Sequence, residues 1–166
     1  MGRIVKESYY IDVAETVLER STCSRSHSGA LIVRNDEIVS TGYNGAPRGR
    51  SNCIDLGYCI RERLGIPAGE RYELCRSVHA EMNAIISAAR SECIGGTIYL
   101  AGRDVATGEL IPDLLPCPMC RRMIINAGLS KIVIRRTPST YDILNVQDWV
   151  FHDDSVIDPS ESGEQA

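Results

Sequence analysis

No stretch of the 166 residues approaches the roughly 20 consecutive apolar residues that a membrane-spanning helix needs. The opening, Met1-Gly2-Arg3-Ile4-Val5-Lys6, runs straight into a polar, helix-like stretch with no secretory leader, so the cytoplasm is the expected location. A basic excess is missing as well. Eighteen Lys and Arg stand against 22 Asp and Glu, a net charge of −4 with a pI near 5.4. That balance weighs against a dedicated nucleic-acid binder, whose footprint is basic, so neither a polynucleotide nor a membrane is an expected partner. No internal repeat is present, which excludes solenoid and propeller architectures.

What remains is ordinary for a globular protein: 43% hydrophobic and 24% charged residues, in a chain of single-domain length. Residues 1–151 are expected to form that domain. Residues 152–166 are acidic and rich in Ser, Pro and Gly, and read as a mobile tail with His152 solvated at its start. Seven cysteines without a leader point to metal or thiol chemistry and not to a disulfide framework.

Hydrophobic spacing predicts a first helix over 7–21, with Tyr10, Val13, Ala14, Val17 and Leu18 facing the core. Residues 30–33 and 38–41 read as antiparallel strands about an Asn35-Asp36 turn. Further strands are expected at 97–100 and 131–134, separated by a long loop over 101–115 that turns at Thr107-Gly108. Residues 141–151 are ambiguous. The order ββ, helix, β, helix, β implies an α/β fold, a three-layer α/β/α sandwich on a mixed central sheet.

Two stretches organise this frame. His79-Ala80-Glu81 reads as a helix start, with Ser77 as a cap and Met82, Ile85, Ile86 and Ala89 on one face. Pro116-Cys117-Pro118-Met119-Cys120 opens a second helix running to Ala127 and stopped by Gly128. A His-x-Glu followed by a distant Pro-Cys-x-x-Cys is the signature of zinc deaminases. His79, Cys117 and Cys120 would hold Zn²⁺ and leave a fourth tetrahedral position for water, which is acidified there toward a pKa of roughly 7. Glu81 would take the water's proton and deliver it to the ring nitrogen and the departing ammonia.

Two more regions carry candidates. Gly42-Tyr43-Asn44-Gly45-Ala46-Pro47-Arg48-Gly49-Arg50 is an irregular loop. Its backbone N–H groups with Arg48 and Arg50 would suit a phosphate, and a tight turn with solvated arginines suits the same residues. Cys23, Cys53, Cys59 and Cys75 could close a four-thiolate structural zinc site, with His27 as a substitute ligand, or be separate buried thiols.

On these motifs the chain resembles the dCMP deaminase branch of the cytidine deaminase superfamily. The likeness runs from about Ala14 to Ile134 and includes Cys23, Gly29-Ala30, Gly42-Tyr43-Asn44-Gly45, the His79 motif through Ile85, and the Cys117 motif. The resemblance implies conversion of dCMP to dUMP and ammonia, activation by dCTP (accompanied by Mg²⁺) and inhibition by dTTP, in a homohexamer. It places the substrate's sugar at Asn44, its pyrimidine carbonyl at the Ala80 N–H, and an effector nucleotide at the loop from Gly42. It also matches Cys23 and Cys53 to the first two ligands of a second zinc found in some members. His27-Ser28 departs from the usual basic residue followed by Val, and the 101–115 loop is longer than usual. Rival readings are a deaminase of dCTP, of tRNA adenosine or of another heterocycle, and a non-catalytic zinc- or nucleotide-binding module. The acidic balance disfavours tRNA, and Glu81 beside a three-ligand metal disfavours the module.

Overall fold

The computed structural model describes residues 2–152; the expected tail from 153 lies outside them. Helix α1 (Lys6–Leu18) leads into the hairpin β1 (Ser26–Arg34) and β2 (Glu37–Tyr43). Short helices α2 (Cys53–Leu56) and α3 (Ile60–Arg63) and a single 3-10 turn (Tyr72–Leu74) precede α4 (Ala80–Ile86) and α5 (Arg90–Cys93). Then come β3 (Thr97–Asp104), α6 (Pro118–Ala127), β4 (Lys131–Thr137), β5 (Thr140–Asn145) and α7 (Val146–Phe151). No helix among the described residues is long and apolar enough to cross a membrane.

The five strands form one mixed sheet in the order β2-β1-β3-β4-β5. Only β3 and β4 run parallel, and the chain between them carries α6. Strand alternation sends Leu31, Val33, Tyr99 and Val133 to one face, against Tyr10, Ile11, Ala14 and Leu18 of α1. Ala30, Ile32, Ile98, Leu100, Ile132 and Ile134 go to the other face, against Ala80 and Ala84 of α4 and Ile124 and Ala127 of α6. Two apolar layers on opposite sides of one sheet make the expected three-layer sandwich.

Several local expectations need correction. Ile11, absent from the expected face of α1, is fully buried, while Val17 is only half-buried. α4 ends at Ile86, which is 68% exposed, and Ala89 caps α5 instead. The buried residues of α4 are Ala80, Glu81 and Ala84, with the two alanines where the helix backbone lies against Gly42 of β2 and Ile85 packed half-buried against the core. The helix cap is His79 itself and not Ser77. β3 continues through Asp104, so the irregular segment begins at Val105. The ambiguous stretch resolves into the edge strand β5 and the amphipathic α7, with Val146 buried and Trp149 packed against the core.

Candidate active site

Gly42 determines where α4 can lie. A methyl group there would stand 2.3 Å from the Ala80 carbonyl oxygen and 2.4 Å from the Ala84 nitrogen, closer than any real contact. With only hydrogen at that position, the helix start lies directly on the end of β2. Hydrogen bonds then fasten it. Ser40 Oγ donates to the Ala84 carbonyl at 2.7 Å, and Asn83 Nδ2 donates to the Tyr43 carbonyl at 2.8 Å. Gly45 and Val78 exchange both backbone hydrogen bonds, stapling the loop after β2 to the residue before His79.

The second motif is built from the helix start itself. Cys117 is the N-cap of α6, with Pro118 in its first turn, where the missing N–H costs nothing. Its Sγ accepts the Cys120 backbone N–H at 3.5 Å, so the three-residue spacing follows from the cap geometry. His79 Nδ1 lies 3.5 Å from Cys117 Sγ and 3.4 Å from Cys120 Sγ. Tetrahedral zinc with Zn–N and Zn–S bonds of about 2.05 and 2.3 Å would set such atoms about 3.6 Å apart. Both nitrogen–sulfur distances therefore already match what zinc requires, and all three ligand atoms lie within 4.8 Å of one another. Among the described residues this is the one His/Cys/Asp/Glu group that could hold a metal ion with all ligand atoms within 4.8 Å.

The same groups act strongly on one another's protons. The hydrogen bond from Cys120 pulls the Cys117 thiol down to about 4, with help from His79. Cys120, which donates to that thiolate and is fully buried, is held well above the usual thiol range. Burial disfavours a charged His79, yet its hydrogen bonds to Cys117 and Cys75 outweigh that and raise it to about 10. Glu81 is 6% exposed, and desolvation pushes its carboxyl above the ordinary range. A carboxyl lifted in this way exchanges protons near neutral pH better than an exposed one.

The other candidates are placed differently. Asn44 is buried at the site's edge, but its side-chain oxygen already accepts from Ser21 Oγ at 2.5 Å and the Ser28 N–H at 2.8 Å. Its Nδ2 donates to the Ser26 carbonyl, which leaves one amide hydrogen for a ligand. Ala80, fully buried, is the first residue of α4 beside the triad. Tyr43, Arg48 and Arg50 are exposed along the loop. A cavity of about 350 Å³ next to it is lined by Pro47, Arg50, Tyr58 and Arg76, among others. Cys23, Cys53, Cys59 and Cys75 lie near enough to raise the Cys53 thiol, after burial, which is the larger cause. They do not converge to ligating separation. Burial raises the Cys75 thiol, but the neighbouring His79 outweighs it and holds the thiol below its ordinary range.

The long segment before Pro116 is a fixed wall. It folds back on β3 through Asp104 N–H to Glu109 O and Ile111 N–H to Gly102 O, each 2.9 Å. Arg136 then clasps it, one guanidinium nitrogen donating to the Pro112 and Leu114 carbonyls at 2.9 and 2.8 Å. Nothing in the sequence marks Arg136 for this role, nor Arg61 and Tyr72 near His79.

A buried carboxylate beside a His/Cys/Cys set, mounted on two helix starts of a mixed sheet, defines a zinc-dependent deaminase. A model of the cytidine and deoxycytidylate deaminase zinc-binding region matches residues 4–136, and the chain belongs to that family. It is 33% identical over 138 residues to the deoxycytidylate deaminase of Mycobacterium phage D29, covering 80% of this chain and 96% of that protein. It is 32% identical over 127 residues to the Schizosaccharomyces pombe deoxycytidylate deaminase, covering 76% of this chain but only 36% of the yeast protein. Among solved structures, the cyanophage S-TIM5 dCMP deaminase in complex with dCMP and dUMP aligns with a TM-score of 0.53 at 25% identity, over 80% of this chain and 84% of that one. The Burkholderia pseudomallei cytidine deaminase shares the fold, with a TM-score of 0.57 at 19% identity over 87% and 95% of the two chains.

Proposed function

We propose that this chain hydrolyses dCMP to dUMP and ammonia, with zinc held by His79, Cys117 and Cys120 and with Glu81 carrying protons. One observation bears most of the weight: a carboxylate two residues beyond a ligand histidine, buried against three ligand atoms spaced for tetrahedral zinc. Zinc bound there supplies the Lewis acidity that makes water a nucleophile near neutral pH. The protein's own part is proton transfer. Glu81 accepts a proton as the water oxygen bonds to C4 of the cytosine ring and passes it to the ring nitrogen. A second transfer to the exocyclic amine lets the C4–N bond break and ammonia leave. No electrons are exchanged. Burial of Glu81 keeps bulk water from competing for those protons.

The substrate assignment is supported by the deoxycytidylate deaminases of phage D29 and fission yeast and by the S-TIM5 enzyme's complex with dCMP and dUMP. The motif resemblance, from Gly42-Tyr43-Asn44-Gly45 through the Cys117 motif, extends the proposal to a nucleotide-regulated homo-oligomer, a hexamer activated by dCTP with Mg²⁺ and inhibited by dTTP. The cavity beside Arg50 and Arg76, bordering the Gly42–Arg50 loop, suits a polyphosphate effector. A second zinc on Cys23, Cys53, Cys59 and Cys75 would require those thiols to draw together from their present positions.

The test is ammonia release by the zinc-loaded protein from dCMP, dCTP, CMP, deoxycytidine and guanine, each with and without added dCTP or dTTP. Turnover is expected on dCMP, raised by dCTP, lowered by dTTP, and lost in Glu81→Ala with zinc retained. Absence of turnover on every cytosine nucleotide, despite bound zinc, would refute the substrate assignment.

A further inference from the structure

Between Ile60 and His79 the chain builds a device that the proton chemistry does not use. Arg61 is only 5% exposed, and among the described residues it makes no salt bridge to a carboxylate within 4.0 Å. One guanidinium nitrogen instead donates to the Pro67 carbonyl at 2.9 Å and the Glu70 carbonyl at 2.6 Å. The loop over 64–71 is thereby wrapped around a cation. The flat face of that cation lies 4.3 Å from the centre of the Tyr72 ring. Tyr72 in turn meets the His79 ring at 5.2 Å between centres, with the planes 86° apart. This is the edge-to-face arrangement that aromatic rings prefer, and it fixes the tilt of the imidazole.

A metal-ligating histidine needs its ring held, because the bond weakens when the nitrogen lone pair turns away from the ion. In this chain an aromatic ring is placed to hold it. We propose that Tyr72, itself set by the buried Arg61, is a positioning residue that orients His79 for metal binding. The inference rests on His79 being a ligand, as in the function proposed above. A buried cation that donates to backbone carbonyls is costly; orienting a ring two contacts away gives it a reason to be there. Loss of the Tyr72 ring frees His79 to rotate while leaving the ligand set intact.

Cobalt(II) in place of zinc reads this directly, since its visible absorption reports tetrahedral thiolate and imidazole ligation. The probe is cobalt titrated into metal-free wild-type, Tyr72→Leu and Tyr72→Phe proteins, with thermal unfolding of each metal-free form to confirm the fold. Tyr72→Leu is expected to bind cobalt about tenfold more weakly, the low end for loss of a partner that supports a ligand, and to show an altered spectrum. Tyr72→Phe keeps the ring and should match wild type in both. Wild-type affinity and spectrum in Tyr72→Leu would overturn the proposal, as would a Tyr72→Phe protein as impaired as Tyr72→Leu. If wild type itself shows no thiolate-to-cobalt absorption, the metal assignment falls first and takes this inference with it.

Discussion

Adding one methyl group at Gly42 separates the site's geometry from the protein's stability. The new Cβ would lie 2.3 Å from Ala80 O and 2.4 Å from Ala84 N, where ordinary contact begins at 3.4 Å. Both opposing atoms are backbone, so no side chain can swing aside and α4 must retreat by about 1 Å. Overpacking of this kind costs about 1–3 kcal/mol. In a chain of this size that corresponds to a fall in Tm of roughly 3–10 °C. The catalytic cost should be larger, because His79 and Glu81 ride on the displaced helix start. A shift of about 1 Å in reacting groups can remove roughly a hundredfold in rate. Gly29→Ala is the control. Its Cβ would meet Ala14 O at 2.2 Å and Leu18 N at 2.5 Å, an equal clash on the other face of the sheet, against α1, which carries no member of the site. Thermal unfolding and steady-state ammonia release are measured for both variants. Similar losses of Tm with a hundredfold loss of kcat confined to Gly42→Ala are expected. Equal loss of kcat in the two, or a Gly42→Ala enzyme within twofold of wild type, would refute the argument that this close approach sets the catalytic geometry.

Three further outcomes follow from single contacts. Arg136→Ala releases the Pro112 and Leu114 carbonyls. It should lower kcat/KM about tenfold, the lower end for a positioning group, and open 105–115 to limited proteolysis. Arg135 is buried and pairs with both Asp12 and Glu15 of α1. Arg135→Met should cost about 2–3 kcal/mol in denaturant unfolding, below the usual range for a broken buried pair because Asp12 is half exposed, with kcat unchanged. Burial pushes the Tyr99 hydroxyl up to about 12. A raised folded-state pKa gives stability that is complete below the unfolded value near 10 and lost as pH rises toward 12. Tyr99→Phe should therefore unfold less steeply with pH in that window, as followed by circular dichroism.

The His79, Cys117 and Cys120 cluster was legible because each half is a local device. Cys117 and Cys120 are tied by one helix cap, and His79 and Glu81 by one helix start, so their spacing in sequence carries the geometry. The sandwich was legible for a similar reason, since strand alternation and helical spacing record which face is buried. Features that depend on distant pairs left no such trace. Arg136 clasps a segment 22 to 24 residues away, and nothing near it in sequence distinguishes it from the solvated Arg122. Cys75 reads as a fourth thiolate by composition, yet the fold does not gather Cys23, Cys53, Cys59 and Cys75 to ligating separation. On α4, Ile85 packs against the core as its spacing suggests, but Ile86 is exposed. Close packing on Gly42 instead selects the small Ala80 and Ala84.

The topology explains why residues 38 positions apart meet. β1 is antiparallel to both of its neighbours, so β2 and β3 point the same way and end at the same edge of the sheet. The register makes this explicit: Ala30 lies between Gly42 of β2 and Leu100 of β3. α4 begins against Gly42 and runs back along β2, passing Ser40 at Ala84. α6 begins after the chain leaves the end of β3 and returns to Lys131, where β4 starts beside Thr97. Two helices on one face, both starting at the strands' carboxyl ends, must bring their first residues together. That is also where open α/β sheets place their ligands. Chemistry at this edge therefore needs no long-range pairing code beyond the strand order, and the clearance at Gly42 sets how closely the two helix starts approach.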